Sequence, residues 1–91
     1  MPKKGVRIKN KLGLHARAAG QIVQLANKYA SEVMIHNNNM TANGKSVLGI
    51  LTLTASLGTE LIFEVNGDDA QELLDKLIEL IDNKFGEDIE G

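Results

Sequence analysis

The run Gly13-Leu14-His15-Ala16-Arg17 gathers a nucleophile, a cation and a turn-former within five residues. An imidazole, with an ordinary pKa of about 6.5, is largely neutral near pH 7 and can attack an electrophilic phosphorus. Two residues on, the Arg17 guanidinium can give charge-assisted hydrogen bonds to phosphoryl oxygens. The run lies where an alternating apolar pattern gives way to a helical one. A helix start exposes unpaired backbone N–H groups and the positive end of the dipole, which suits an anion. Gly13 lets the chain turn sharply, so the ring can face solvent rather than pack inside. These parts suffice for reversible phosphoryl transfer. On five residues alone, however, a helix-flanking histidine and a solvated arginine are the commoner reading, because short motifs match often by chance.

The elements that must hold this run can be read from periodicity. Val6 and Ile8 alternate with Arg7 and Lys9, predicting a half-buried strand over residues 5–9. Ala19, Ile22, Val23, Ala26 and Ala30 form one stripe at helical spacing, predicting a helix from Ala16 to Ala30. Period two resumes at Val33 and Ile35, and Asn37-Asn38-Asn39 suits a tight turn into a short return strand over 40–43. Val47, Leu48, Ile50, Leu51 and Leu53 fit a buried strand or a short helix, and periodicity does not decide. Ser46 in front of them is a good N-cap. Leu61, Phe63 and Val65 alternate again, up to the turn Asn66-Gly67. Asp68 or Asp69 then opens a last helix with the stripe Ala70, Leu73, Leu74, Leu77, Ile81 and Phe85. Residues 86–91 are expected to form a frayed acidic tail on a single domain spanning 1–91. The order βαββαβα with short connections predicts an α+β fold, an antiparallel sheet with the helices on one face.

Composition removes several functions. A chain of 91 residues buries only about 60% of its unfolded surface, which favours a carrier, binder or regulator over an enzyme with a deep cleft. Ten Lys plus Arg stand against 12 Asp plus Glu, and the aromatics are only Tyr29, Phe63 and Phe85. Nucleic acid is therefore not an expected partner, since duplex binding needs a basic excess and single strands need stacking platforms. Cysteine is absent, and His15 and His36 are far apart in sequence, so no metal or other cofactor is expected. His36 lies on the strand face opposite Val33 and Ile35, where an exposed sheet position is expected. Neither a signal segment nor a bilayer-length apolar run is visible, so a cytoplasmic protein without membrane insertion is expected.

The run from Gly13 to Arg17 resembles the phosphohistidine motif of HPr, the phosphocarrier of the bacterial sugar phosphotransferase system. A second stretch, Lys45-Ser46-Val47-Leu48-Gly49-Ile50-Leu51, is similar to that family's regulatory serine segment. The element order and the turns at Gly58 and Gly67 match too, so the resemblance covers nearly the whole chain. It implies an open-faced sandwich of four antiparallel strands and three helices, with residues 46–53 helical. It further implies that His15 accepts phosphate at Nδ1 from phosphorylated Enzyme I and passes it to EIIA-type proteins. Ser46 would be the target of a dedicated HPr kinase/phosphorylase. A monomer is expected.

Two departures stand out. The family usually has proline after the arginine, whereas Ala18 stands here and restores a backbone N–H. Gly20 inside the first helix lowers its stability by roughly 1 kcal/mol relative to alanine. Ala16, Gly20, Val47, Leu48 and Leu51 are the expected partner-binding residues, because the short second helix is apolar almost all round and cannot bury every side against one sheet. Three other functions fit less well. The nitrogen-related branch of the family has only the stretch Phe85-Gly86-Glu87-Asp88 in its favour. Regulators on this fold that act by binding alone have lost the histidine. A ligand- or RNA-binding sandwich leaves Gly13 to Arg17 unexplained.

Overall fold

Alternation builds the sheet as expected. In the computed structural model, which describes residues 2–87, the strands are β1 (Lys3–Arg7), β2 (Glu32–Asn37), β3 (Met40–Asn43) and β4 (Glu60–Asn66). They pair antiparallel in the order β1-β4-β2-β3. Val33 and Ile35 of β2 and Leu61, Phe63 and Val65 of β4 bury their side chains on one face. The register sets Val33 opposite Val65 and Ile35 opposite Phe63, so period two places both apolar sets on the same side. Three α-helices cover that side: α1 (Ala16–Ala26), α2 (Val47–Leu51) and α3 (Ala70–Asp82). The apolar stripes of α1 (Ala18, Ala19, Ile22, Ala26) and α3 (Ala70, Leu73, Leu74, Leu77, Ile81) are buried against it. This is the open-faced α+β sandwich in the order βαββαβα.

Three boundaries differ from the periodicity reading: both ends of β1 and the end of α1. Strand β1 spans Lys3–Arg7 rather than 5–9, because its pairing with β4 begins at Lys3 opposite Glu64. Ile8 is still buried, and its backbone bonds Gly58 and Thr59 from the loop beyond the strand. Helix α1 stops at Ala26, and Ala30 is exposed. The reason is tertiary: the N–H groups of Ala30 and Ser31 donate to the Asp69 carboxylate, each at 3.0 Å, and so are drawn across the molecule instead of along a helix. Asp69 does occupy the N-cap position of α3, but its side chain makes no capping bond. Its carboxyl is held below the usual range first by the Ser31 hydroxyl and then by the Ala30 N–H, against the opposing effect of burial. Gly67 (φ +149°) permits this junction, since a Cβ there would lie 2.7 Å from Ser31 Cα.

The frayed-tail expectation needs correction at its start. Phe85 is buried, a 3-10 turn runs from Lys84 to Gly86, and Glu87 is hydrogen-bonded to residues at the other end of the chain. Residues 88–91 of that tail lie outside the described residues.

Candidate functional site

Gly13 shapes the loop between β1 and α1. Its backbone takes φ +69°, and Leu14 N–H donates to the Ala55 carbonyl at 2.9 Å, tying the loop to the segment before β4. Asn10, fully buried, donates from Nδ2 to the Gly13 carbonyl at 2.8 Å. Lys9 pairs with Asp82, which draws the end of α3 alongside.

His15 follows as the N-cap residue of α1, with extended backbone (φ −82°, ψ −178°). The position normally favours Ser, Thr, Asp or Asn, whose side-chain oxygen accepts a first-turn N–H. Here a ring nitrogen replaces that oxygen: Arg17 N–H donates to His15 Nδ1 at 3.2 Å. On the other side of the ring, Nε2–H donates to the Glu87 carboxylate. A carboxylate can only accept, so the proton sits on Nε2 and the Nδ1 lone pair points at the helix start. The N–H groups of Ala16, Arg17 and Ala18 belong to the first turn and have no acceptor within the helix ladder. An anion bonded to Nδ1 would meet them and the positive end of the helix dipole. The side chain of His15 is about one quarter exposed (26%), so the ring is accessible.

Arg17 is exposed and makes no ion pair among the described residues. Ala16 is exposed, and Gly20 leaves open space where a Cβ would point. Burial pushes the Glu87 carboxyl upward, but hydrogen bonds from His15 and Asn10 and the charges of His15 and Arg17 outweigh it and hold the group below its usual range. Its contact therefore contributes above the ordinary carboxylate range and is lost as pH falls through the lowered value.

The second expected segment folds as a short helix packed against α1. Ser46 caps it, accepting the Gly49 N–H at 3.0 Å. The apolar residues divide: Ile50 and Leu53 are buried, Val47 and Leu51 half-buried, and Leu48 is 77% exposed. Among the described residues no cluster could hold a metal ion, and no helix is long and apolar enough to cross a membrane.

His36 lies on the outer sheet face but is engaged at both nitrogens. Its Nε2–H donates to Glu64 at 3.0 Å, and Nδ1 accepts from the Thr41 hydroxyl at 2.9 Å. It ties three strands together. Sequence reasoning missed Asn10 and Glu87, which converge on His15 from opposite ends of the chain. The one available signal was Phe85, an apolar residue at the end of the α3 stripe that anchors the chain before Glu87.

Residues 2–83 match the family described as PTS HPr component phosphorylation site. The phosphocarrier protein HPr of Cupriavidus necator is 41% identical over 87 residues, covering 96% of this chain and 98% of that protein. Among solved structures, HPr-C-His from Thermoanaerobacter tengcongensis superposes with a TM-score of 0.92 at 41% identity, covering 97% of this chain and 99% of that one. A structure of an HPr dimer from the same organism matches with a TM-score of 0.76 at 41% identity, over 96% of this chain and all (100%) of that one.

Proposed function

The chain belongs to the HPr family of the phosphotransferase system, and on that premise we propose that it carries a phosphoryl group on His15. It takes the group from phosphorylated Enzyme I, itself charged by phosphoenolpyruvate, and passes it to EIIA-type proteins as a single domain in the cytoplasm. One observation carries the reading: His15 Nδ1 accepts the Arg17 N–H at a helix start while Nε2 holds the proton. That leaves a nucleophilic lone pair facing a ready set of anion donors. Every side chain needed lies on one copy of the chain, so transfer requires no partner subunit. Incubation with Enzyme I and phosphoenolpyruvate should add one acid-labile phosphoryl group by intact mass. An unmodified mass under conditions that charge a control phosphocarrier would refute the reading.

Arg17 acts in transfer rather than folding. A cation in the first turn opposes the helix dipole, and this one has no ion-pair partner among the described residues. A charge-assisted hydrogen bond to the migrating phosphoryl group contributes about 1.5–3 kcal/mol. Arg17→Ala should accordingly slow transfer about ten- to a hundredfold and leave the thermal midpoint within a few degrees. A large fall in that midpoint with a normal rate would reverse the assignment.

Ser46 is the regulatory phosphorylation site for an HPr kinase/phosphorylase. Its support is the motif, together with a hydroxyl that caps α2 beside the exposed Leu48. A phosphate here keeps oxygens for the Gly49 N–H, so the fold survives, while a charge near −2 arrives next to Val47, Leu48 and Leu51. Partners that bury this apolar face next to Ala16 and Gly20 then meet a desolvation penalty and, if acidic, repulsion. Ser46→Asp should accept phosphate from Enzyme I about tenfold more slowly with an unchanged circular dichroism spectrum. An unchanged rate leaves Ser46 as a helix cap only.

A further inference from the structure

We propose that the backbone N–H of Ala18 is a third hydrogen-bond donor to the phosphoryl group on His15, left unpaired in the free protein and engaged only when the group arrives. The proposal deepens the phosphocarrier reading above and rests on it. It also gives a role to Ala18, whose N–H is the one gained where the family usually has proline.

This N–H is both buried and unpaired. Helix α1 closes its first ladder bond from the Ala19 N–H to the His15 carbonyl at 2.9 Å, which leaves Ala16, Arg17 and Ala18 as the first-turn donors. Arg17 N–H donates to His15 Nδ1, and both Ala16 and Arg17 are exposed, so water can serve the turn there. Ala18 is fully buried (0% exposed), and among the described residues its N–H has no acceptor. An N–H shut away from water without a partner is rare in a folded chain, because the lost hydrogen bond is not replaced. Position explains this one. The side chain of an N-cap residue can serve the second or the third N–H of its helix. His15 Nδ1 has a single lone pair and gives it to the second, Arg17, which leaves the third, Ala18, as the neighbouring free donor.

Phosphorylation changes the balance of donors and acceptors. The Nδ1 lone pair forms the bond to phosphorus, while the bond from phosphorus to the donor breaks and its electron pair leaves on the donor. Nδ1 can then accept nothing, so the Arg17 N–H must find another acceptor. The phosphoryl group brings three charged oxygens to the place where one lone pair stood, set further out from the ring. They meet three first-turn donors: Ala16, Arg17 and Ala18. For Arg17 the bond to oxygen replaces one it already had. Ala18 gives up no earlier bond, so its contribution counts in full toward the phosphorylated form. The chain therefore holds the group more tightly than a proline at this position would allow, and delivery to an acceptor is correspondingly less favourable.

The test uses wild type labelled with nitrogen-15, charged with Enzyme I and phosphoenolpyruvate and followed by NMR. The Ala18 amide proton should move downfield on phosphorylation, and its nitrogen should couple to phosphorus-31 across the hydrogen bond. Two variants then measure the effect on the phosphoryl-exchange equilibrium with Enzyme I. Ala18→Pro deletes the N–H in the first turn, where no ladder bond is lost, and should shift that equilibrium about tenfold toward the unphosphorylated protein. Ala18→Gly keeps the N–H and removes the buried methyl, so it should melt earlier yet keep the wild-type equilibrium. An Ala18 amide that neither moves nor couples overturns the proposal, whether or not Ala18→Pro folds. So does an equilibrium that shifts as far in Ala18→Gly as in Ala18→Pro, since the residue would then act through packing. A wild type that accepts no phosphoryl group brings down the phosphocarrier reading and this proposal together. Wild-type charging with an unmoved Ala18 amide brings down this proposal alone.

Discussion

His15→Ala is expected to take up no phosphoryl group from Enzyme I and phosphoenolpyruvate, whatever the incubation time. His36, the other histidine, does not substitute, because both its ring nitrogens are engaged by Glu64 and Thr41 on the outer sheet face. The same substitution removes the Nδ1 cap on the Arg17 N–H. Loss of an N-cap side chain costs about 0.5–2 kcal/mol, and in a domain of this size about 1 kcal/mol moves the thermal midpoint by roughly 4–8 °C. The variant should therefore fold, melt slightly earlier and remain at its unmodified mass. Phosphorylation that persists in His15→Ala, stable or acid-labile, would place the acceptor on another side chain.

Gly13→Ala should give the largest loss of stability among the substitutions considered. Two terms add. Left-handed backbone at φ +69° costs an L-residue roughly 1–2 kcal/mol. The new Cβ would also lie 2.5 Å from the Ala55 carbonyl oxygen and 2.9 Å from Ser56 Cα. Both are backbone atoms, so relief requires the β1–α1 loop to separate from the segment before β4, breaking the Leu14–Ala55 hydrogen bond. Overpacking of this kind costs about 1–3 kcal/mol. The thermal midpoint should fall by roughly 10 °C or more, and transfer should slow in whatever folded protein remains, because the displaced loop carries His15. Gly20→Ala is the matched control. Its Cβ meets nothing within 4 Å, so it should raise stability by about 1 kcal/mol. Equal melting of Gly13→Ala and wild type would mean that the loop adapts freely and does not preset the ring.

What could be read from the sequence alone depends on interactions between near neighbours in the chain. The alternation of Leu61, Phe63 and Val65 and the helical stripe of α3 report which face each element buries, whatever lies opposite. The caps are equally local: His15 reaches Arg17 two residues on, and Ser46 reaches Gly49 three residues on. These short spacings are why the five-residue run and the serine segment were visible as chemistry, although it took two motifs in a matching element order to raise them above chance.

Tertiary structure decided whatever depended on distant partners. The five apolar residues after Gly44 fit strand or helix until Ile50 and Leu53 found places in the core and left Leu48 outside. Helix α1 ended early because Asp69, 38 residues beyond Ser31, captures the backbone that would have continued it. Above all, the orientation of the His15 ring was set from Glu87, 72 residues away, through a turn whose positive φ angles follow from the burial of Phe85. Periodicity senses burial within one element, but the meeting of Asn10, His15 and Glu87 exists only when the loop after β1 and the turn after α3 arrive at the same end of the sheet.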